Sequence, residues 1–267
     1  MIVQAGHLLD VGQFQGDAMV SAKRLSLLVL VLFCFTTIVS APGLAGKLTD
    51  ALKLKDIPQV RSLIAAGEDV QEKVRGDYPL NIAATYGPAG MVTVLLDAGA
   101  DIERPGRDGL RPLHNAMALG HRDIVELLIQ KGAMVDAKDR RGRTPLHTFA
   151  ATGGSDLEIA RMLLAAGADP KIEDEEYHET SLNFAVEYGN LELGKLLIAA
   201  HVDVNHRNVD GWSALHFAAH HLRYEFVKEL IAAGADVNVA NKLGRTPISY
   251  APNDAPIRQL LIAAGAK

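Results

Sequence analysis

Gly142-Arg143-Thr144-Pro145-Leu146-His147 is the stretch that decides how this chain folds. A threonine hydroxyl can cap a helix N-terminus, and proline fits the first helical position, where no N–H is needed. Leu146 then turns inward, so four residues write a helix start. The same start recurs with its leucine position at Leu80, Leu113, Leu146, Leu182, Leu215 and Ile248, spaced 33, 33, 36, 33 and 33 residues apart. A second marker recurs at Ala66-Gly67, Ala98-Gly99, Lys131-Gly132, Ala166-Gly167, Ala200-His201, Ala233-Gly234 and Ala264-Gly265. A fixed period of this size means a stack of supersecondary units.

Within one unit the pattern predicts a short helix from Pro112 to Leu119, broken at Gly120. Ile124, Val125, Leu127 and Leu128 supply the apolar stripe of a second helix, and Gly132 takes the left-handed position that closes it. Ala133 to Gly142 is a turn-rich connector that projects as a hairpin finger.

The residues Arg143-Thr144-Pro145-Leu146-His147, Leu163-Leu164-Ala165-Ala166-Gly167-Ala168-Asp169 and Ala235-Asp236-Val237-Asn238 closely resemble the ankyrin repeat. The resemblance extends over about residues 47 to 267 and implies an all-α solenoid of helix-turn-helix units with hairpin loops, six to seven repeats including degenerate caps. It also implies a concave groove lined by the fingers and first helices. The motif histidine is implied to bond backbone near its own turn and the neighbouring unit.

The copies depart from the pattern in particular ways. Unit 1, Lys47 to Gly67, keeps the stripe Val60, Leu63 and Ile64 but has no finger before it, as an N-terminal cap would. Tyr78 and Arg111 replace the capping threonine in units 2 and 3, each at an expected cost of about 1 kcal/mol. Unit 4 carries two extra residues around Gly153-Gly154-Ser155-Asp156, where the inter-helix turn should bulge. Unit 5 has an extra residue in the acidic finger Glu173 to Glu179, and His201 stands where the closing glycine belongs. Histidine visits the left-handed region more readily than most side chains. Unit 6 replaces its inter-helix glycine with Leu222, and unit 7, with Pro252 and Pro256, reads as the C-terminal cap.

Residues 1–45 read differently. Lys23 and Arg24 precede the apolar run Leu25 to Val39, and small residues stand at Gly43 and Ala45. This is the pattern of a secretory signal cleaved after Ala45, leaving a repeat domain over residues 46–267. Met19 lies just before the basic pair, so residues 1–18 read as a start assigned too early. The alternative is an uncleaved anchor over Leu25 to Ala45, nearly the ~20 residues that span a bilayer. Either way the repeats are expected outside the cytoplasm, periplasmic or secreted. The only cysteine, Cys34, lies inside the apolar run behind a bulky Phe33, which disfavours a lipid-attachment signal. A mature chain without it can build no disulfide.

The formal net charge of −5 offers no basic face for a phosphate backbone, so nucleic acid is not an expected partner. No phosphate loop, nucleophile elbow or His-Glu-x-x-His pair is present, which points away from an enzyme. No cofactor or small-molecule substrate is expected, and a membrane is expected only if the N-terminal segment is retained. His216, His220 and His221, with His201 and His206 nearby, include the four-residue spacing that lets two imidazoles reach one metal. Metal-dependent activity there is one alternative function, set against His216 being the motif histidine. A secreted effector acting on host proteins is another. The acidic run Glu173 to Glu179 reads as a solvated loop tip, with attraction of a basic partner or a loose divalent cation as its functional readings, and it lacks the alternating oxygen ligands and central glycine of an EF-hand loop.

The stronger signal lies at positions the unit does not need for its own packing. In units 4 to 6 these are Arg140, Arg141, Arg143, Thr148, Glu176, Tyr177, Glu179, Phe184, Glu187, Tyr188, Trp212, Phe217, His220 and His221. Tyr, Trp and Arg dominate binding hot spots, and the only tryptophan is among them. Phe184 and Phe217 read equally well as packing between layers. The expectation is a non-enzymatic protein-binding module that holds its partner on the concave face of units 4 to 6. Its contacts would be Arg140, Arg141, Arg143, Glu176, Tyr177, Glu179, Tyr188, Trp212, His220 and His221.

Overall fold

A computed structural model describes residues 46–267. The expected signal or anchor, the doubtful start at Met1 or Met19, and Cys34 all lie outside the described residues.

The described residues hold thirteen α-helices, two 3-10 turns and no strand beyond isolated bridges. Helices α1 (Lys47–Lys53) and α2 (Ile57–Ala65) form the N-terminal cap. Five full pairs follow: α3 (Pro79–Tyr86) with α4 (Ala89–Asp97), α5 (Pro112–Leu119) with α6 (Arg122–Gln130), and α7 (Pro145–Thr152) with α8 (Leu157–Ala165). Next come α9 (Ser181–Tyr188) with α10 (Leu191–Ala199), and α11 (Ala214–His220) with α12 (Tyr224–Ala232). In unit 7 the first helix shrinks to a 3-10 turn, Pro247–Tyr250, beside α13 (Pro256–Ala263).

First helices pack on neighbouring first helices more closely than second helices do on theirs. The reason is side-chain size. The leucines of the 33-residue period, Leu80, Leu113, Leu146, Leu182 and Leu215, are all buried, and Ala84, Ala116, Ala150, Ala185 and Ala218 are buried beside them. Alanines let helix backbones approach, so the first-helix row is the tighter, inner row. The second-helix stripe is also in the core, with Val125, Leu128, Leu163, Leu197, Val227 and Leu230 fully covered.

The helix start works differently from simple hydroxyl capping. Thr144 Oγ1 lies 2.8 Å from His147 Nδ1, and the Thr144 N–H donates to the same nitrogen at 3.2 Å. Nδ1 is therefore the acceptor, and the ring proton sits on Nε2, which lies 3.1 Å from the Glu179 carbonyl of the next unit. Ser213 and His216 repeat the arrangement, with Nε2 3.1 Å from the Arg245 carbonyl. In unit 3 the Arg111 N–H donates to His114 Nδ1, and His114 Nε2 meets the Arg143 carbonyl at 3.0 Å. The expected loss of a cap at Arg111 is thus offset by His114, and the resemblance's reading of the motif histidine holds.

Asparagine does only half of this work. Asn81 Nδ2 donates forward to the Leu110 carbonyl at 3.0 Å, while its Oδ1 has no partner. Asn183 does the reverse: its Oδ1 accepts from the Thr180 N–H and hydroxyl, and its Nδ2 has no partner. Its amide is too short to serve both ends.

A second ladder runs along the bases of the fingers. Gln71 Nε2 donates to the Gly99 carbonyl; Glu103 accepts from the Met134 N–H and Asp136 from the Asp169 N–H. Asn205 and Asn238 accept from the N–H groups of Asp236 and Lys267. The equivalent position in unit 5 is Lys171, a cation with no acceptor to offer. Both ladders are interrupted between units 5 and 6.

The irregular copies are accommodated locally. His201 and Leu222 adopt left-handed backbone, φ 59° and 53°, where the pattern calls for glycine, and His178 does so at φ 54° in its finger. The enlarged turn of unit 4 folds over the core: a Cβ on Gly154 would lie 2.1 Å from the Phe149 ring. Asn190 Nδ2 donates to the Gly154 carbonyl at 3.0 Å, so the bulge also ties unit 5 to unit 4. No helix among the described residues is long and apolar enough to cross a membrane.

Candidate protein-binding face

The fingers are built on a residue the leucine period does not reveal. Asp139 Oδ1 accepts from the N–H groups of Arg141 and Arg143. Asp174, Asn208 and Asn241 hold Tyr177 and Glu179, Asp210 and Trp212, and Leu243 and Arg245 in the same way. The signal was present: an Asp or Asn five residues before the helix-start Thr or Ser in units 4, 6 and 7, and six before it in unit 5. Side chains that bond their own backbone two residues on are turn formers. Adjacent fingers are stitched by main-chain bonds: Arg140 N–H to the Asp108 carbonyl, Glu175 to Arg141, Val209 to Tyr177 and Lys242 to Asp210, all at 2.8–3.0 Å.

Six of the expected groove positions are taken up by the stack itself. Trp212 is only 6% exposed, its ring centroid 4.7 Å from Tyr250, 5.0 Å from Phe217 and 5.5 Å from His220. The shortened first element of unit 7 lets Tyr250 lie across it, so the tryptophan packs the C-terminal cap instead of standing in the groove. Phe184 and Phe217 are also buried, which settles them as interlayer packing. Arg143 and Glu179, both expected at the groove, are buried as well. Arg143 sits over the Phe184 ring at 5.0 Å and pairs with Asp174 at 3.7 Å and Glu176 at 3.6 Å. Glu179 accepts from Asn208 Nδ2 at 2.8 Å. Glu187, placed in the same row by the sequence, is buried too.

The acidic finger is also engaged with its neighbours, although Glu175 and Glu176 at its tip stay exposed. Glu175 pairs with Lys138 at 3.3 Å and Glu176 with Arg141 at 3.7 Å. Glu173 lies 3.2 Å from His178 and 3.6 Å from His206. Finger 5 therefore sets Asp174, Glu175 and Glu176 against cations of finger 4, and Glu173 against His178 and His206. Burial, with Glu176 beside it, raises the pKa of the Tyr177 hydroxyl, and burial pushes the Asp139 carboxyl up.

What stays accessible is narrower than the sequence suggests. Arg140 and Glu176 are exposed on the fingers, with Arg141 and Tyr177 half-buried beside them. Tyr188, His220 and His221 are half-buried at the ends of α9 and α11, the two histidine rings edge-to-face at 4.9 Å. Thr148 is half-buried on α7, its hydroxyl turned back to the Thr144 carbonyl. These residues come from the inner row and its fingers, so one side of the stack gathers them.

The histidine cluster does not assemble a metal centre. Both ring nitrogens of His216 are engaged, Nδ1 by Ser213 and Nε2 by the Arg245 carbonyl. Among the described residues no group of three or more His, Cys, Asp or Glu side chains is placed to hold a metal ion. The motif histidines are held neutral: burial lowers His114, His147 and His216 from 6.5 to about 4.

Comparison with known proteins matches this geometry. A family model described as "Ankyrin repeats (3 copies)" matches residues 48–139, 90–174, 134–208 and 182–267. A solved human ASB11 ankyrin repeat domain superposes with a TM-score of 0.74 at 24% identity, over 83% of this chain and 99% of that one. The ankyrin repeat domain of Bcl-3, a member of the IkappaB protein family, gives a TM-score of 0.69 at 26% identity, over 80% and 97%. Among curated sequences, 52 residues are 42% identical to the E3 ubiquitin-protein ligase KEG of Arabidopsis thaliana. That match takes in 20% of this chain and only 3% of the length of the plant protein.

Proposed function

Because the chain belongs to the ankyrin repeat family, whose repeats are protein–protein interaction modules, we propose that it holds a protein partner on its inner face at units 4 to 6, without turnover. The observation that carries this reading is the sorting of the aromatic and basic side chains there. Trp212, Phe184, Phe217 and Arg143 are consumed by packing, while Tyr177, Tyr188, His220, His221, Arg140 and Arg141 keep accessible surface on the same side. Tyrosine and arginine are hot-spot residues, and a stack with both ends capped loses little conformational freedom on binding. The interaction is recognition by a preformed surface.

The same reading places the repeats outside the cytoplasm. Its support is the basic pair Lys23-Arg24 before the apolar run Leu25 to Val39 and the small residues at Gly43 and Ala45. A mature chain beginning at Gly46, found by N-terminal sequencing of an envelope fraction, is the expected result. An intact chain in the cytoplasm would defeat this part.

Binding is tested by site-specific photo-crosslinking in cells. A crosslinking amino acid at Tyr188 should yield a discrete protein adduct, and one at the outer-row position Gln130 should not. Equal adducts from both positions, or none from Tyr188, would rule out the inner face.

A further inference from the structure

Fingers 3 and 4 hold an excess of cations. Residues 104–111 and 137–143 carry seven Lys or Arg against two Asp, and one of those, Asp139, is committed to finger backbone. Most of the seven are occupied. Arg107 lies 3.7 Å from Asp77, and Arg111 pairs with Glu103 at 3.1 Å and donates to the Lys138 carbonyl. Lys138, Arg141 and Arg143 are paired with carboxylates of the acidic finger.

Two remain. Arg140 is exposed, bonded to finger 3 only through its main chain, and has no ion pair among the described residues. Arg104 lies over the Tyr78 ring at 4.9 Å, with Lys73 over the same ring at 5.4 Å. Two like charges over one half-buried ring repel each other, and no carboxylate among the described residues is paired with either. Finger 5 supplies the template for what this surface accepts: its glutamates already lie on Lys138 and Arg141, one finger over.

We infer that Lys73, Arg104 and Arg140, presented by three consecutive fingers, dock an Asp/Glu-rich segment of the protein partner. The inference rests on the protein-binding reading above and adds the chemistry of the partner. The acidic segment extends across fingers 4, 3 and 2 the charge pattern that finger 5 begins. Its carboxylates relieve the repulsion over Tyr78 and give Arg140 its missing counter-charge. Charge of this kind sets orientation and encounter rate more than total affinity.

The test is fluorescence anisotropy of a short, labelled Glu/Asp-rich peptide against the full chain. Saturable binding at low salt is expected, weakening as ionic strength rises past the point where the Debye length falls to about 10 Å. Reversing both Arg104→Glu and Arg140→Glu should weaken it about tenfold or more, since two attractive contacts become repulsive. The same charge change at Lys131→Glu and Lys242→Glu, away from the strip, should leave it within about twofold. The milder pair Arg104→Gln and Arg140→Gln should also weaken binding, and circular dichroism checks that each variant is folded. Absence of saturable binding, an equal loss from the distant pair, or equally tight binding of phosphatidylserine vesicles or duplex DNA would each overturn the inference. If the Tyr188 crosslink persists while the peptide fails to bind, the acidic strip alone is wrong; loss of the crosslink with peptide binding intact removes the inner-face reading instead.

Discussion

Lowering the pH from about 7 to about 5 should destabilise the stack by roughly 2 kcal/mol for each motif histidine. His114, His147 and His216 have an ordinary value of 6.5 when unfolded and about 4 when folded, because burial disfavours the imidazolium. Their geometry agrees: Nδ1 already accepts in every case, so a second ring proton would break the start of the helix. With the folded value depressed, the unfolded chain binds more protons throughout the window from 6.5 down to about 4. Stability is therefore greatest above that window and falls as acid is added. Asp136 and Asp139 are raised by burial and work in the opposite sense, over a range that begins at the ordinary carboxylate value of 3.8 and runs upward. Urea unfolding followed by far-ultraviolet circular dichroism at several pH values measures the slope, and His147→Asn should remove about a third of it. Asparagine at this position is already tolerated in units 2 and 5. A midpoint that does not move between the two pH values, or a slope unchanged in the variant, would refute the neutral, bridging role of these rings.

Trp212→Ala should cost about 3–5 kcal/mol and loosen unit 7, because it removes a covered ring that touches four other rings. A loss below about 1 kcal/mol would mean the ring is dispensable for packing and would return it to the binding face. Leu222→Gly should raise the melting temperature, since left-handed backbone costs a non-glycine residue about 1–2 kcal/mol. Leu222 is half exposed, so little packing is lost. A variant less stable than the parent would show that this leucine is held in place by contacts worth more than its strain.

The architecture was written in short-range order. The leucine period fixes one helix start per unit, and each glycine at a helix end announces a left-handed closure that even His201 respects. The resemblance stood on residues whose roles are local. What could not be read was everything decided between units. Whether Trp212 faces solvent depends on Tyr250, which lies across it only because unit 7 fails to complete its first helix. Whether Glu175 and Glu176 are a lure or a seam depends on which cations the previous finger sets opposite them, and a fingertip's register is set by its own Asp or Asn. Arg143 read as a groove residue because it flanks the finger glycine, a position the unit's own packing does not call for. Gly142, in left-handed backbone between Arg141 and Arg143, redirects the chain so that Arg143 turns inward onto Phe184 and Asp174.

The coincident gaps at Asn183 and Lys171 bear on how such a chain can be lengthened or shortened. At the boundaries after units 2, 3, 4 and 6 a transplanted repeat must match a donor side chain behind it, Asn81 or a motif histidine, and a hydrogen-bonding side chain at its base. At the boundary after unit 5 neither fitting is in use, and helix packing is supplemented by main-chain contact, by Asn208 with Glu179, by His206 with His178 and Glu173, and by Lys195 with Glu229. A graft made there has neither ladder rung to reproduce. It is the joint at which this molecule can be most readily rebuilt with a different number of layers.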